Sequence, residues 1–234
     1  MQITIPPIFI TGAARSGTSL CAGIVNICGA WGGKLAGATR YNRKGMFENS
    51  TIRNEVIKPF LREINCDPLG QNPLPNIHSL EPLRVGTGSE IRQKVTKIME
   101  SQGYPGGPWF YKGAKMCLMW PLWHEAFPDA QWIIVRRDSE DIVTSCLKTS
   151  FMQAFKTRSG WLGWVAEHEK RFEEMCEAKL KVQEVWPQRA VNGDLIQMQI
   201  VINNLGLNWN FEAVKQFIEP TLWHRSKKER THGD

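Results

Sequence analysis

Ile8–Leu20 reads IFITGAARSGTSL, and the order of its residue types decides the fold. Three β-favouring apolar residues, Ile8, Phe9 and Ile10, run into Gly12-Ala13-Ala14-Arg15-Ser16-Gly17-Thr18-Ser19, and an apolar helical pattern (Leu20, Ile24, Ile27) follows. A strand that passes through a glycine-bounded loop into a helix aims backbone N–H groups and the positive end of the helix at one point, which is how a chain holds a phosphate. Gly12 and Gly17 have the spacing of the G-x-x-x-x-G-K-[ST] loop, and Ser19 stands at its hydroxyl position. Thr18 occupies the place of the lysine that normally reaches the β- and γ-phosphates of a nucleoside triphosphate, and the basic residue is Arg15, inside the loop. The stretch predicts a phosphate cradle and argues against nucleoside triphosphate hydrolysis.

Outward from this loop, strand and helix patterns alternate. The helix after the loop covers Thr18–Ala30, with a short edge strand expected near Gly33–Leu35 and a helix over Ser50–Ile64. Residues 66–88, rich in Pro, Gly and Asn, read as a surface loop or insertion. A helix over Ser89–Ser101 leads to a strand at Pro108–Lys112 and a helix over Leu118–Phe127. Gln131–Arg136 (QWIIVR) has the composition of a strand buried on both faces. A helix over Asp138–Thr149 follows, with acidic residues at its positive end. Gly160–Trp186 reads as one long helix carrying Glu167/Arg171 and Glu177/Lys181 pairs at i,i+4. Arg189–Asn192 is expected as the last strand, Asp194 as a helix cap, and Leu195–Leu205 and Phe211–Ile218 as helices. This order predicts an α/β fold, a three-layer α/β/α sandwich around a parallel sheet, in a single domain over 1–234 with a basic tail at 223–234.

Composition narrows the function classes. At 42% hydrophobic and 22% charged residues the chain is globular rather than disordered. No run approaches the roughly 18 apolar residues of a membrane span, and the first residues carry no basic leader. The six cysteines form no C-x-x-C pair and join no His-rich spacing, so no metal is expected and the thiols read as reduced, in a cytoplasmic protein. The net charge of +6 is dispersed apart from the C-terminal end, and no helix bears a basic stripe with base-reading residues, which argues against nucleic acid. A basic pocket for a polyanionic small molecule accounts for the excess, as does a solvated basic face.

The loop's Arg15-Ser16-Gly17-Thr18 resembles the 5'-phosphosulfate-binding loop of soluble, bacterial-type P-loop sulfotransferases, which use 3'-phosphoadenosine 5'-phosphosulfate (PAPS) and release PAP. A second stretch, Val135-Arg136-Arg137-Asp138-Ser139-Glu140-Asp141-Ile142-Val143-Thr144-Ser145, is similar to the part of that family in which a strand-end arginine and a serine eight positions on bind the 3'-phosphate. The resemblance implies that Gly12, Ala14, Arg15, Ser16, Gly17, Thr18 and Ser19 hold the 5'-phosphosulfate, and that Arg137 and Ser145 hold the 3'-phosphate. Taken without the family, Arg137 pairs with Asp141 on the surface. Asn42-x-x-Gly45-x-Phe47-Glu48 resembles the segment whose glutamate is the family's general base. Glu48 either takes the acceptor's proton or caps the helix that follows it. His78 and His124 are rival bases.

Tyr111-Lys112-Gly113-Ala114-Lys115 resembles a family strand-end motif, with Gly113-Ala114 departing from it. Lys112 and Lys115, with Arg15, are expected to stabilise the transferring group or to hold an acidic acceptor, or else are solvated strand-end lysines. Trp161 and Trp164, with Phe151 and Phe155, form either an acceptor lid or helix core. The tail His224-Arg225-Ser226-Lys227-Lys228-Glu229-Arg230 does not match the family's late phosphate-clasping loop. The resemblance implies transfer of a sulfuryl group to a hydroxyl or amine on a small molecule, glycan or peptide. The competing readings are a P-loop kinase for a small metabolite, which needs a lysine and a strand-end acid that are missing here, and a non-catalytic nucleotide-binding protein on the same fold.

Overall fold

The computed structural model describes residues 5–76, 80 and 84–223. Four parallel strands form its sheet: β1 (Ile8–Thr11), β2 (Phe110–Lys112), β3 (Gln131–Val135) and β4 (Lys181–Val185), in the order β2-β1-β3-β4. β1 is central, with Ile8 opposite Phe110 on one side and Gln131 on the other. Every residue of β1 is buried, as expected for a strand covered on both faces.

Alternation along the strands divides the core in two. Phe9, Tyr111, Trp132 and Ile134 face one layer, while Ile8, Ile10, Ile133 and Val135 face the other. The first layer holds three consecutive helical pieces, Ser50–Ile52, a π-helical turn Arg53–Ile57 and Lys58–Glu63, together called α2. It also holds α3 (Arg84–Ser101) and α4 (Trp120–Ala126). Phe9 meets Trp132 and Trp123 edge-to-face at 4.9 and 5.3 Å, an arrangement that favours aromatic pairs beyond simple area burial. The second layer is built from α1 (Thr18–Ile27), α8 (Ile196–Asn204) and α9 (Phe211–Phe217). Between them in sequence come α5 (Ser139–Leu147), α6 (Arg158–Glu177) and the short α7 (Pro187–Val191). The expected α/β sandwich with a parallel sheet is therefore present.

Several expected elements fall elsewhere. The long helix stops at Glu177, turns through Lys179 in the left-handed region (φ 57), and the chain enters β4 instead of continuing to Trp186. Lys181 thus pairs with Asp129 (3.6 Å) rather than with Glu177, and Arg171 pairs with Glu174 (3.0 Å) rather than with Glu167. Residues 189–192, expected as a strand, belong to α7 and its C-cap, because Pro187 sits at the first turn where its fixed φ suits a helix start. Gly33–Leu35 forms no strand; Leu35 makes one isolated antiparallel bridge to Asn49. The segment expected as a loop to residue 88 is already helical from Arg84. Asp194 does not occupy the cap of α8 but sits one residue before it, accepting from Ile196 N–H at 3.1 Å.

The carboxyl ends of β1, β2 and β3 open at the point where the strand order changes direction, the usual crevice of such sheets. Thr11 fixes two of these ends to each other. Its buried hydroxyl donates to Gly113 C=O (3.2 Å) and accepts from Cys117 N–H (3.2 Å). Thr11→Val keeps the shape and leaves Cys117 N–H without its partner, while Gly113 C=O keeps only the bond from Met116 N–H (3.1 Å), so urea unfolding should show a loss of about 1–3 kcal/mol.

Candidate active site

The loop after β1 is shaped by close backbone approach. A Cβ on Gly12 would lie 2.6 Å from the Val135 carbonyl oxygen, so no larger residue fits beside β3. Gly17, at φ 103, is the N-cap of α1, and no side chain caps that helix. Its first N–H groups are therefore left for an anion. Arg15 stands in the left-handed region at φ 76.

β3 and α5 bring two groups to this loop. Arg137, only 8% exposed, donates through Nη1 to the Arg15 carbonyl at 2.8 Å. Arg15 Nε donates to Ser145 Oγ at 2.9 Å. Asp138 caps α5 by accepting from Asp141 N–H (3.1 Å), which puts Ser145 two turns on and facing the loop. Arg137 also approaches Asp141 at 3.8 Å, the pairing expected without the family, but in a buried setting rather than on the surface. The indole of Trp223 lies over the Arg137 guanidinium, 4.4 Å away. The rest of the basic tail, 224–234, and His78 lie outside the described residues.

Glu48 is 4% exposed and does not cap the next helix. Asn49 does that, its Oδ1 accepting from Thr51 and Ile52 N–H at 3.2 and 3.3 Å. Glu48 Oε2 accepts from Arg53 Nη1 at 3.4 Å, and its buried Oε1 has no hydrogen-bond partner among the described residues. Burial alone would raise this carboxyl, but Lys112, Lys115 and Arg53 outweigh it and hold it below its ordinary value. Glu48 is therefore an anion at neutral pH. Lys112 and Lys115 are pushed below the ordinary lysine range by burial, against the opposing pull of Glu48. Ser19 Oγ donates to the Met46 carbonyl (3.2 Å), which anchors the segment carrying Glu48 to the start of α1.

Most of these charged and loop groups line one cavity of about 780 Å³, within the span of roughly 300–1,000 Å³ usual for small-molecule clefts. Ala14, Arg15, Gly17, Thr18, Ser19, Glu48, Lys112, Arg137 and Ser145 are on its wall; Gly12 and the fully buried Ser16 shape the loop from behind. Trp161 is core, as are Phe155's contacts with it. Phe151, by contrast, is on the cavity wall and meets Tyr41 edge-to-face at 5.5 Å. His124 is not among the lining residues. The histidine that is, His168, escaped sequence reading because it sits mid-helix between Glu167 and Glu169, where it reads as part of a solvated charged face. Its Nδ1 bonds the Trp164 carbonyl (2.9 Å), and burial lowers its pKa to about 4, so it is neutral at pH 7.

Residues 111–199 match the model of the family described as a sulfotransferase domain. The similarity to a sulfotransferase domain thus runs from β2 into α8. No curated protein matches it. Among solved structures it is similar to the sulfotransferase domain of a Synechococcus olefin synthase, at 12% identity and TM-score 0.60, covering 95% of this chain and 87% of that one. It also resembles a sulfotransferase from Mycobacterium tuberculosis, at 14% identity and TM-score 0.51, over 96% of this chain and 73% of that one. The family match takes in Lys112, Arg137 and Ser145 but begins after the phosphate loop and Glu48.

The charge state of Glu48 has a pH signature. Its folded pKa is depressed below the ordinary 4.5, so its contribution to stability is present above that value and is lost as pH falls through the folded pKa. Glu48→Gln should be less stable than the parent at pH 7, because Lys112 and Lys115 lose their counter-charge. The gap should narrow on acidification below pH 4.5, read from thermal melts of both proteins across that range.

Proposed function

We propose that the protein transfers the sulfuryl group of PAPS to a hydroxyl or amine acceptor and releases PAP. The observation that carries this reading is the joining of Arg15, Arg137 and Ser145 at one uncapped helix start, through bonds of 2.8 and 2.9 Å. A guanidinium and a hydroxyl beside a loop of free N–H groups suit a ligand with two separate phosphate centres. Arg15 and the loop N–H groups would take the 5'-phosphosulfate, and Arg137 with Ser145 the 3'-phosphate.

Glu48 fits the base. It is ionised, buried at the cavity wall, and carries one oxygen with no partner among the described residues. Its depressed pKa makes it a weaker base than an isolated carboxylate, and the same lysines that depress it are set to stabilise charge on the transferring sulfuryl group. Arg15 is among the charges that hold Lys112 low, after burial and Arg53.

PAP differs from AMP only in the 3'-phosphate, so the wild-type protein should prefer PAP. Arg137→Ala should cut that preference by about tenfold or more, a charge-assisted phosphate contact. It should weaken AMP by less, through the lost bond to the Arg15 carbonyl. Calorimetric titration of both ligands reads the ratio; equal losses for the two would refute the 3'-phosphate assignment. Excess EDTA should leave PAP binding intact, and its loss would point to a metal-dependent kinase instead.

Turnover provides a separate check. Glu48→Gln should lower the rate by about 10²–10⁴-fold with PAP affinity nearly unchanged. An unaltered rate would pass the role of base to His168, whose Nδ1–H is engaged and whose Nε2 is left to accept.

A further inference from the structure

Among the described residues, ten cationic side chains line the cavity against three carboxylates. That excess of seven exceeds the +6 of the whole chain, so the remainder of the protein is close to neutral. Two of the carboxylates are committed at the donor end: Asp141 approaches Arg137 at 3.8 Å, and Glu219 pairs with Lys44 at 3.3 Å. Away from that end, Arg53, Lys58, Lys112 and Lys115 have Glu48 as their one lining carboxylate. Burial, then the nearby Lys112, Arg53 and Lys58, hold the Lys115 ammonium low despite Glu48. Like charges gathered in a partly desolvated cleft repel unless an anion joins them.

The donor does not supply that anion for all of them. In the reading above its phosphates fall to Arg15 and Arg137 and its sulfuryl group to Lys112. The demand grows during reaction, because Glu48 becomes neutral when it takes a proton and the cluster loses its one lining carboxylate among the described residues. Beside the cluster, Leu69, Phe151 and Met152 give the cavity an apolar wall, with Leu69 48% and Phe151 41% exposed. Apolar surface with a few convergent charges fits a small organic anion.

We propose that the acceptor is itself an anion: a small alcohol or phenol whose carboxylate, phosphate or sulfate group is held by Arg53, Lys58 and Lys115 while its hydroxyl lies at Glu48. This rests on the sulfotransferase reading. The acceptor oxygen bonds to sulfur as the bond from sulfur to the 5'-phosphate oxygen breaks. The hydroxyl proton goes to Glu48, and the leaving phosphate keeps the electron pair. The products are a sulfate ester and PAP.

The test is calorimetric titration of 4-hydroxyphenylacetate and of its neutral amide into the full chain, with PAP saturating and with PAP absent. The carboxylate should bind at least about tenfold more tightly than the amide. Lys58→Gln should reduce that ratio by about fivefold or more, and Lys58→Arg should restore it. A carboxylate that binds no better than the amide, absence of binding included, overturns the proposal, as does a ratio that Lys58→Gln leaves unchanged. PAP binding without carboxylate preference defeats this inference alone; carboxylate preference without PAP binding defeats the donor assignment alone.

Discussion

A carboxylate buried among cations is the constraint on which the rest of the cavity depends. Ions taken out of water cost several kcal/mol each unless partners replace the lost hydration. Glu48 meets that condition only when the 39–48 loop, the π-helical turn within α2, the end of β2 and the turn after it are assembled, because Arg53, Lys112 and Lys115 come from three of those places. The π turn begins at Arg53, the residue that reaches back to Glu48. Such turns commonly mark functional positions inside helices. Thr11, by tying β1 to Gly113 and Cys117, holds the segment between Lys112 and Lys115 in place from the opposite side.

Two non-glycine residues in the left-handed region flank the cavity, Arg15 at φ 76 and Phe47 at φ 51. Each such conformation costs on the order of 1–3 kcal/mol and survives only where the surroundings over-determine it. Around Arg15 that role falls to Arg137, which holds its carbonyl, and to Ser145, which holds its side chain. Phe47 is fixed edge-to-face against Phe217 at 5.6 Å. The adjoining Glu48 carbonyl accepts from Ala36 N–H at 2.8 Å. The strain sits where the phosphate loop and the candidate base must be rigid before any ligand arrives, which is the arrangement electrostatic catalysis requires.

What could be read from sequence follows burial and locality. β1 and β3 were legible because strands covered on both faces are short apolar runs, and Arg137 and Ser145 because a strand end and a helix face fix their spacing. β4 was not legible. Of Lys181-Val182-Gln183-Glu184-Val185 on this edge strand only Val185 is buried, and their charges mimic the i,i+4 pattern of the helix before them. Glu48 and Asn49 compete for one cap, and asparagine is the stronger capping residue, a local signal that favoured the outcome seen. Arg53, Lys58, His168 and Trp223 reach the cavity only through tertiary folding. No neighbour in sequence announces them.

The substitution of Thr18 for a lysine relocates a charge rather than removing one. In a nucleoside triphosphate loop the cation comes from the loop itself and serves the terminal phosphates of one ligand. Here further cations come from the end of β2, from the turn after it and from α2, and they act on a buried carboxylate. In the proposed reading, cations shared with Glu48 act on whatever lies between donor and base, so they would stabilise charge that develops in transit and, by the same field, favour an acceptor that brings negative charge of its own. Catalysis and acceptor choice would then be two effects of a single cluster.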